Sequence, residues 1–171
     1  MKGKILIACV GNVFLGDDAF GVEVARCLSS ISLPDDVSVI DFGIRSFDLA
    51  YALMEPWDLA VLVDAVSRGD TPGTVYVIEP DLEAVTDKAT EDAAFAAGFD
   101  AHTMSPATVV QMVSALGGKC PRMLVVGCEP ATVEPRDDGQ FVLSDPVRAA
   151  VDEAIVTIRE IIADYTRTVA A

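Results

Sequence analysis

Residues 5–28 read ILIACVGNVFLGDDAFGVEVARCL, and this stretch decides the fold class. The six apolar residues of Ile5–Val10 have the length of a buried strand. Apolar residues then recur at helical spacing within Phe20–Leu28, and a second strand-length apolar run follows at residues 37–40. The stretch therefore predicts a βαβ unit, in which two parallel strands are joined by a helix.

Three further apolar runs of strand length follow, at residues 59–63, 75–78 and 123–128. Only turn residues separate the first two of these runs. This connection is too short for a crossover helix, so the strand at 75–78 is predicted to be antiparallel and to lie at an edge.

Helices are predicted between the other strands and at the end of the chain. Ser46 is positioned to cap a short helix that ends at Met54, and Pro106 lies near the start of another. The last helix has a cap at Ser144 and an apolar stripe that runs to Ile162. The whole pattern predicts a single three-layer α/β domain over residues 1–171, with a mostly parallel twisted sheet of about five strands and helices on both faces.

The charge of the chain excludes several classes of partner. Its 171 residues include 12 Lys and Arg against 27 Asp and Glu, which gives a formal net charge of -15. Phosphate backbones and anionic membranes repel such a surface, so we expect neither nucleic acid nor membrane as a partner. No run approaches the roughly 20 apolar residues of a membrane span, and no cleavage site follows the first apolar run. We expect a cytoplasmic monomer.

The four cysteines form no CxxC pair and no zinc-finger spacing. Three of them lie within apolar segments, which predicts buried, reduced thiols. A catalytic cysteine would also need a nearby base, and the chain has one histidine. These observations argue against a cysteine nucleophile.

Carboxylates follow the predicted strands repeatedly. Asp41, Asp64 and Glu129 stand at or just after strand ends, and the loop after the first strand carries Asp17 and Asp18. One such acid is commonly a turn former or helix cap. Ligands in open parallel sheets bind beyond the carboxyl ends of the strands, so the repeated pattern predicts an acidic crevice there.

The loop at residues 11–18 has the glycine spacing of a phosphate loop, but acids replace the expected Lys and Ser or Thr. Such a loop would repel phosphate and suits a cation. Asp17 is predicted to stabilise the start of the following helix, while Asp18 faces the crevice.

His102 supplies the only imidazole of the chain, just before a predicted helix. A lone loop histidine is commonly incidental, but with Asp18 and Asp64 it completes a set of two oxygen ligands and one nitrogen ligand. A mixed set of this kind favours a borderline transition metal such as zinc, nickel, copper or iron over magnesium or calcium. The sequence has neither the GxGxxG of a dinucleotide site nor the GxSxG of a serine hydrolase, so we expect no organic cofactor.

Taken together, these segments resemble the hydrogenase maturation endopeptidases over nearly the whole chain. The resemblance is carried by the glycine and aspartate pattern of residues 11–22, by the strand end at 62–65, by His102, and by the segments 41–43 and 126–130. Two positions depart from the family: Asp18 stands where many relatives have Glu, and Ile44 stands where Thr is expected.

The resemblance implies a peptidase that removes the C-terminal extension of a nickel-iron hydrogenase large-subunit precursor after nickel insertion. It implies that Asp18, Asp64 and His102 bind metal and carry the reaction, and that the nickel belongs to the precursor and serves as the recognition signal. Asp41 would support the site without touching metal. Two alternatives stay open at this point, namely a non-catalytic nickel-dependent module that escorts the precursor and a metal-dependent hydrolase of another substrate.

Overall fold

The computed structural model describes residues 3–83, 105–135 and 142–170, and these ranges contain a five-stranded sheet with α-helices on both faces. The three-layer α/β prediction is confirmed. The elements are β1 (Ile5–Val10), a 3-10 turn (Gly16–Ala19), α1 (Phe20–Leu28), β2 (Val37–Gly43), α2 (Ser46–Leu53), β3 (Leu59–Ala65), β4 (Val75–Ile78), α3 (Pro106–Ala115), β5 (Arg122–Cys128) and α4 (Asp145–Ala170).

The strand order is β2-β1-β3-β5-β4. β1 pairs in parallel with both β2 and β3, and β3 pairs in parallel with β5. β4 is antiparallel to β5 at the edge of the sheet, as its short connection predicts. After β2 the chain crosses to the opposite side of β1 to form β3, so the crossover connections diverge between β1 and β3.

β1 is buried on both faces, which explains why its sequence is continuously apolar. Ile5, Ile7 and Cys9 pack in a core layer with α1 and α4. Leu6, Ala8 and Val10 belong to a second core layer, with α2 and α3. The stripe predicted for α4 is confirmed, and it lies in the first layer.

One predicted helix cap is wrong. Ser46 is the first residue of α2 rather than its cap, and Arg45 before it makes no side-chain capping bond. Ser144 lies directly before α4, at the predicted cap position, and its carbonyl oxygen accepts the backbone N–H of Arg148 while its hydroxyl donates to the carboxylate of Asp17. Ser105 does cap α3, because its hydroxyl oxygen accepts from the backbone N–H of Thr108.

The start of α1 lies directly against the carboxyl ends of β1 and β3. A Cβ atom at Gly21 would lie 2.1 Å from the carbonyl oxygen of Val10 and 2.5 Å from that of Val63. Gly11 is equally crowded, because a Cβ there would lie 2.0 Å from the carbonyl oxygen of Asp18. Only glycine permits this approach, which brings the β1–α1 loop over the ends of both strands.

Within the described ranges, no helix has the length and apolar character needed to cross a bilayer.

We predict that Gly21→Ala destabilises the protein by about 1–3 kcal/mol or more, because the new methyl group meets two backbone oxygens that cannot move aside. Urea unfolding of both proteins checks this. Gly118→Ala is the matched control, since the three atoms nearest to its methyl group would all belong to the flexible side chain of Met54. Equal losses in the two variants would contradict this account of α1.

Candidate active site

The candidate site lies where the crossover connections diverge, at the carboxyl ends of β1 and β3. Ligands of open α/β sheets bind at such a point. The loop after β1 supplies Asp18, and β3 ends with Asp64 and Ala65. The fold therefore brings together two carboxylates that are 46 residues apart in the chain.

Asp18 lies in the 3-10 turn that precedes α1. One of its carboxylate oxygens accepts the backbone N–H of Asn12 at 2.9 Å, which holds the side chain against its own loop. Partial burial raises the pKa of the Asp18 carboxyl, and the Asn12 hydrogen bond opposes this rise. The side chain is half-buried, so it remains accessible to a ligand.

Asp64 is more strongly perturbed. Its residue is only 8% exposed. Burial raises the pKa of Asp64 well above the ordinary value, the negative charge of Asp18 raises it further, and the N–H of Ala65 opposes the rise. Two desolvated carboxylates that repel each other favour a proton or a cation between them. A cation at this point would remove the repulsion, so the pair suits one.

The third predicted ligand, His102, lies outside the described residues. Among residues 3–83, 105–135 and 142–170, no group of three His, Cys, Asp or Glu side chains is arranged to hold a metal ion. The described part of the chain thus supplies two of the three predicted ligands, and His102 stays a prediction.

Asp17, the neighbour of Asp18, is fully buried. Its carboxylate accepts the backbone N–H groups of Ala131, Thr132 and Ser144 and the hydroxyl of Ser144, at 2.7 to 3.2 Å. It therefore ties the loop before α1 to the chain that follows β5 and to the start of α4. The sequence predicted only a helix-terminus role for Asp17, because partners more than 110 residues away leave no local pattern.

Two other acids do not join the crevice pair. An oxygen of Asp41 accepts the backbone N–H of Gly43 at 2.8 Å, which is the turn-forming role that the sequence allowed. Glu129 accepts the N–H groups of Arg68 and Gly69 and the hydroxyl of Tyr76, so it fastens the β3–β4 connection. Burial acts to raise the pKa of Glu129, but these donors lower it overall. Asp41 is therefore held by its own turn and Glu129 by the β3–β4 connection, and the expectation that Asp41 supports the site without touching metal stays a prediction.

All four cysteines are free thiols. Burial raises the pKa of Cys9 and Cys128 to about 12 and that of Cys120 to about 11, and it also raises the pKa of Cys27. Such thiols remain protonated at neutral pH and are poor nucleophiles. The prediction of buried thiols is confirmed for Cys9 and Cys128, whereas Cys27 and Cys120 are only partly buried.

Comparison with known proteins decides the family. The sequence model of the hydrogenase maturation protease family, HycI, matches residues 22–161. A protein of Methanocaldococcus jannaschii assigned as a hydrogenase maturation protease is 35% identical over 161 residues, which cover 92% of this chain and 95% of that protein. The chain belongs to the hydrogenase maturation protease family. A member of this family is a peptidase, so the predicted enzyme class is confirmed.

Solved structures of maturation proteases share the fold. The hydrogenase 2 maturation peptidase of a Thaumarchaeota archaeon superposes with a TM-score of 0.67 at 26% identity and covers 93% of this chain and 97% of its own. The endopeptidase HybD of Escherichia coli gives a TM-score of 0.70 at 23% identity, over 94% and 93% of the two chains. The sheet that positions Asp18 and Asp64 is therefore the sheet of these maturation proteases.

We predict opposite effects on stability from the two neighbouring aspartates of this maturation protease. Asp17→Ala destabilises, because it removes four hydrogen bonds to a fully buried carboxylate, and a hydrogen bond to a charged group contributes roughly 1.5–3 kcal/mol. Asp18→Ala costs little or stabilises, because it removes a partly desolvated charge and leaves one half-buried donor that water can reach. Urea unfolding at neutral pH measures both. Similar losses of unfolding free energy in the two variants would contradict the conclusion that Asp17 stabilises the fold and Asp18 does not.

We predict that, without metal, the stability of Asp64→Asn relative to wild type increases as the pH rises. Below about pH 4 the Asp64 carboxyl is protonated in both the folded and the unfolded wild-type chain. Above that pH it ionises first in the unfolded chain, because its folded pKa is raised, so wild-type stability falls as the pH rises towards the folded pKa. Asparagine does not ionise and escapes this loss.

Urea unfolding in the presence of a chelator, at about pH 4 and about pH 7, checks this expectation. The stability advantage of Asp64→Asn over wild type is expected to be larger at the higher pH. Asp35→Asn, at an exposed aspartate, is the control and is expected to show no such growth. A stability advantage of Asp64→Asn that is smaller at the higher pH would contradict the raised pKa assigned to Asp64.

Proposed function

We propose that this maturation protease removes the C-terminal extension of a nickel-iron hydrogenase large-subunit precursor after nickel has been inserted. The observation that carries the proposal is the pair of desolvated carboxylates, Asp18 and Asp64, at the carboxyl ends of β1 and β3. The family supports the reaction class, and the carboxylate pair is suited to contact a cation that arrives with the substrate.

In this proposal Asp18, Asp64 and His102 contact the nickel of the precursor. The positive charge of the metal offsets the repulsion between the two carboxylates and favours their ionised forms. A precursor without nickel would leave that repulsion in place and would bind less well. The nickel thus serves as the recognition signal and fixes the position of the scissile peptide relative to the crevice.

Water, rather than an enzyme side chain, is proposed to attack the scissile carbonyl. The four thiols have raised pKa values, and no base contacts a nucleophilic hydroxyl at this site among the described residues. Hydrolysis adds the oxygen of water to the carbonyl carbon and leaves its protons shared between the new carboxyl and amino ends.

The raised pKa values, the oxygen ligands and the position at the strand ends all support Asp18 and Asp64 as metal contacts. The proposed role of His102 is supported by the ligand chemistry of its imidazole and by the family resemblance. Asp18 is one methylene shorter than the Glu of many relatives. Its bond to Asn12 N holds the shorter side chain at the loop, so the metal has to come close to the end of β1.

We predict that the protein shortens a purified hydrogenase large-subunit precursor by one C-terminal peptide, and that it does so only when the precursor carries nickel. Intact mass measurement of the precursor after incubation reads this out. Asp18→Ala and His102→Ala are expected to abolish the mass change, because each removes a proposed nickel contact. Asp35→Ala, at an exposed aspartate, is the control and is expected to cleave like wild type.

Cleavage of nickel-free and nickel-loaded precursor at the same rate would overturn the recognition role of nickel. Undiminished cleavage by His102→Ala would remove that residue from the mechanism. A precursor that is bound but keeps its full length would contradict the proteolytic role.

A further inference from the structure

α2 carries an apolar stripe on the face that it exposes to solvent. Ile44, just before the helix, is 57% exposed, Phe47 is 55% exposed, Tyr51 is 58% exposed and Met54 is 38% exposed. We call these four residues the α2 stripe. Single exposed apolar residues are ordinary, but a continuous row of large ones marks an interaction surface.

The α2 stripe is not needed for the core. α2 buries a different face, with Leu49, Ala50 and Leu53 in the core layer shared with α3. Phe47 and Tyr51 are four residues apart within the helix and therefore lie on one side of it, and Ile44 and Met54 flank its two ends. Because the helix is already anchored by its buried face, the second apolar face points to a partner. Aromatic residues and methionine are the types enriched at protein interfaces.

The stripe begins at the candidate active site. The carbonyl of Gly43, the residue before Ile44, accepts the backbone N–H of Gly11 at 3.0 Å. Gly11 is followed by Asn12, whose N–H is bound by Asp18. One backbone hydrogen bond therefore separates the first stripe residue from the loop that holds Asp18, and a chain lying on the stripe can continue into the crevice.

Acidic side chains border the stripe. Asp48 is exposed on α2, Glu55 is exposed just after the helix ends, and Asp41 is exposed near the start of the stripe. Arg45 is the only Lys or Arg between residues 41 and 55. Its guanidinium is already engaged by Asp48 and by the carbonyl oxygens of Phe42 and Asp41. The stripe therefore favours a partner that is apolar in its centre and basic at its borders.

We infer that the α2 stripe docks the part of the hydrogenase precursor that adjoins the scissile bond, and that this part presents apolar side chains bordered by Lys or Arg. The inference rests on the proposed function. Docking on the stripe holds the polypeptide while Asp18 and Asp64 contact its metal, so the stripe contributes to affinity rather than to the chemical step.

The test compares steady-state cleavage of nickel-loaded precursor by wild type and by the double variant Phe47→Ala, Tyr51→Ala. The double variant is expected to raise KM at least about tenfold, as removal of two aromatic anchors does at interfaces, with kcat within about twofold of wild type. Val156→Ala with Val169→Ala is the control, since these residues are exposed apolar positions on α4. It is expected to leave KM unchanged.

A second variant tests the charge of the partner. Asp48→Lys with Glu55→Lys is expected to raise KM at low salt and to weaken the dependence of KM on salt, because wild type attracts basic residues and the variant repels them. The Arg45 pair that it breaks is exposed and contributes little to stability. An unchanged salt dependence would overturn the basic character assigned to the partner.

Failure of the docking inference is distinguishable from failure of the proposed function. If wild type cleaves and the aromatic double variant keeps the wild-type KM, the docking inference is overturned and the proposed function stands. If wild type does not cleave, the proposed function is overturned. The dissociation constants of wild type and the aromatic double variant for the intact precursor then test the docking inference, and equal values would overturn it.

Two other occupants of the α2 stripe would give different results. If the aromatic double variant loses as much unfolding free energy as a core substitution while KM is unchanged, other residues of this chain pack on the stripe. If wild type sediments as a dimer and the variant as a monomer with the same KM, a second copy of the chain packs on the stripe. Either result overturns the inference.

Discussion

The close approach of the β1–α1 loop to the ends of β1 and β3 is the constraint on which the rest of the site depends. Without a side chain at Gly21, the start of α1 can lie against the carbonyl oxygens of Val10 and Val63. The same absence at Gly11 lets the backbone of Asp18 fold back over the strand end. These contacts bring Asp18 towards Asp64 across the divergence between β1 and β3. Asp17 then fixes the loop from its other side through residues 131, 132 and 144.

Neighbouring carboxylates in this loop act in opposite ways. Asp17 is buried with four hydrogen bonds and stabilises the fold. Asp18 and Asp64 are desolvated with few donors, so their charged forms cost stability. Carboxylate pairs of this kind are typical of sites that bind a cation or transfer a proton. The contrast separates the residues that hold the site together from those proposed to act on the precursor.

Much of the fold could be predicted from the sequence because its signals are local. The continuous apolar run of β1, the short connection before β4 and the stripe of α4 each follow from a few consecutive residues. The pair of Asp18 and Asp64 could also be predicted, since both follow strands whose carboxyl ends meet. The partners of Asp17, Glu129 and Ser144 could not, because those contacts join distant segments and depend on the final packing. His102 lies outside the described residues, so its role rests on sequence.

The central claim is that the Asp18–Asp64 pair serves the chemistry and not the stability of this maturation protease. The most direct measurement is the rate at which Asp64→Asn cleaves nickel-loaded precursor at neutral pH, with the variant shown to be folded under the same conditions. The account predicts a rate at least about 100-fold below wild type in a protein that is no less stable. A folded variant that cleaves within about twofold of the wild-type rate would contradict it.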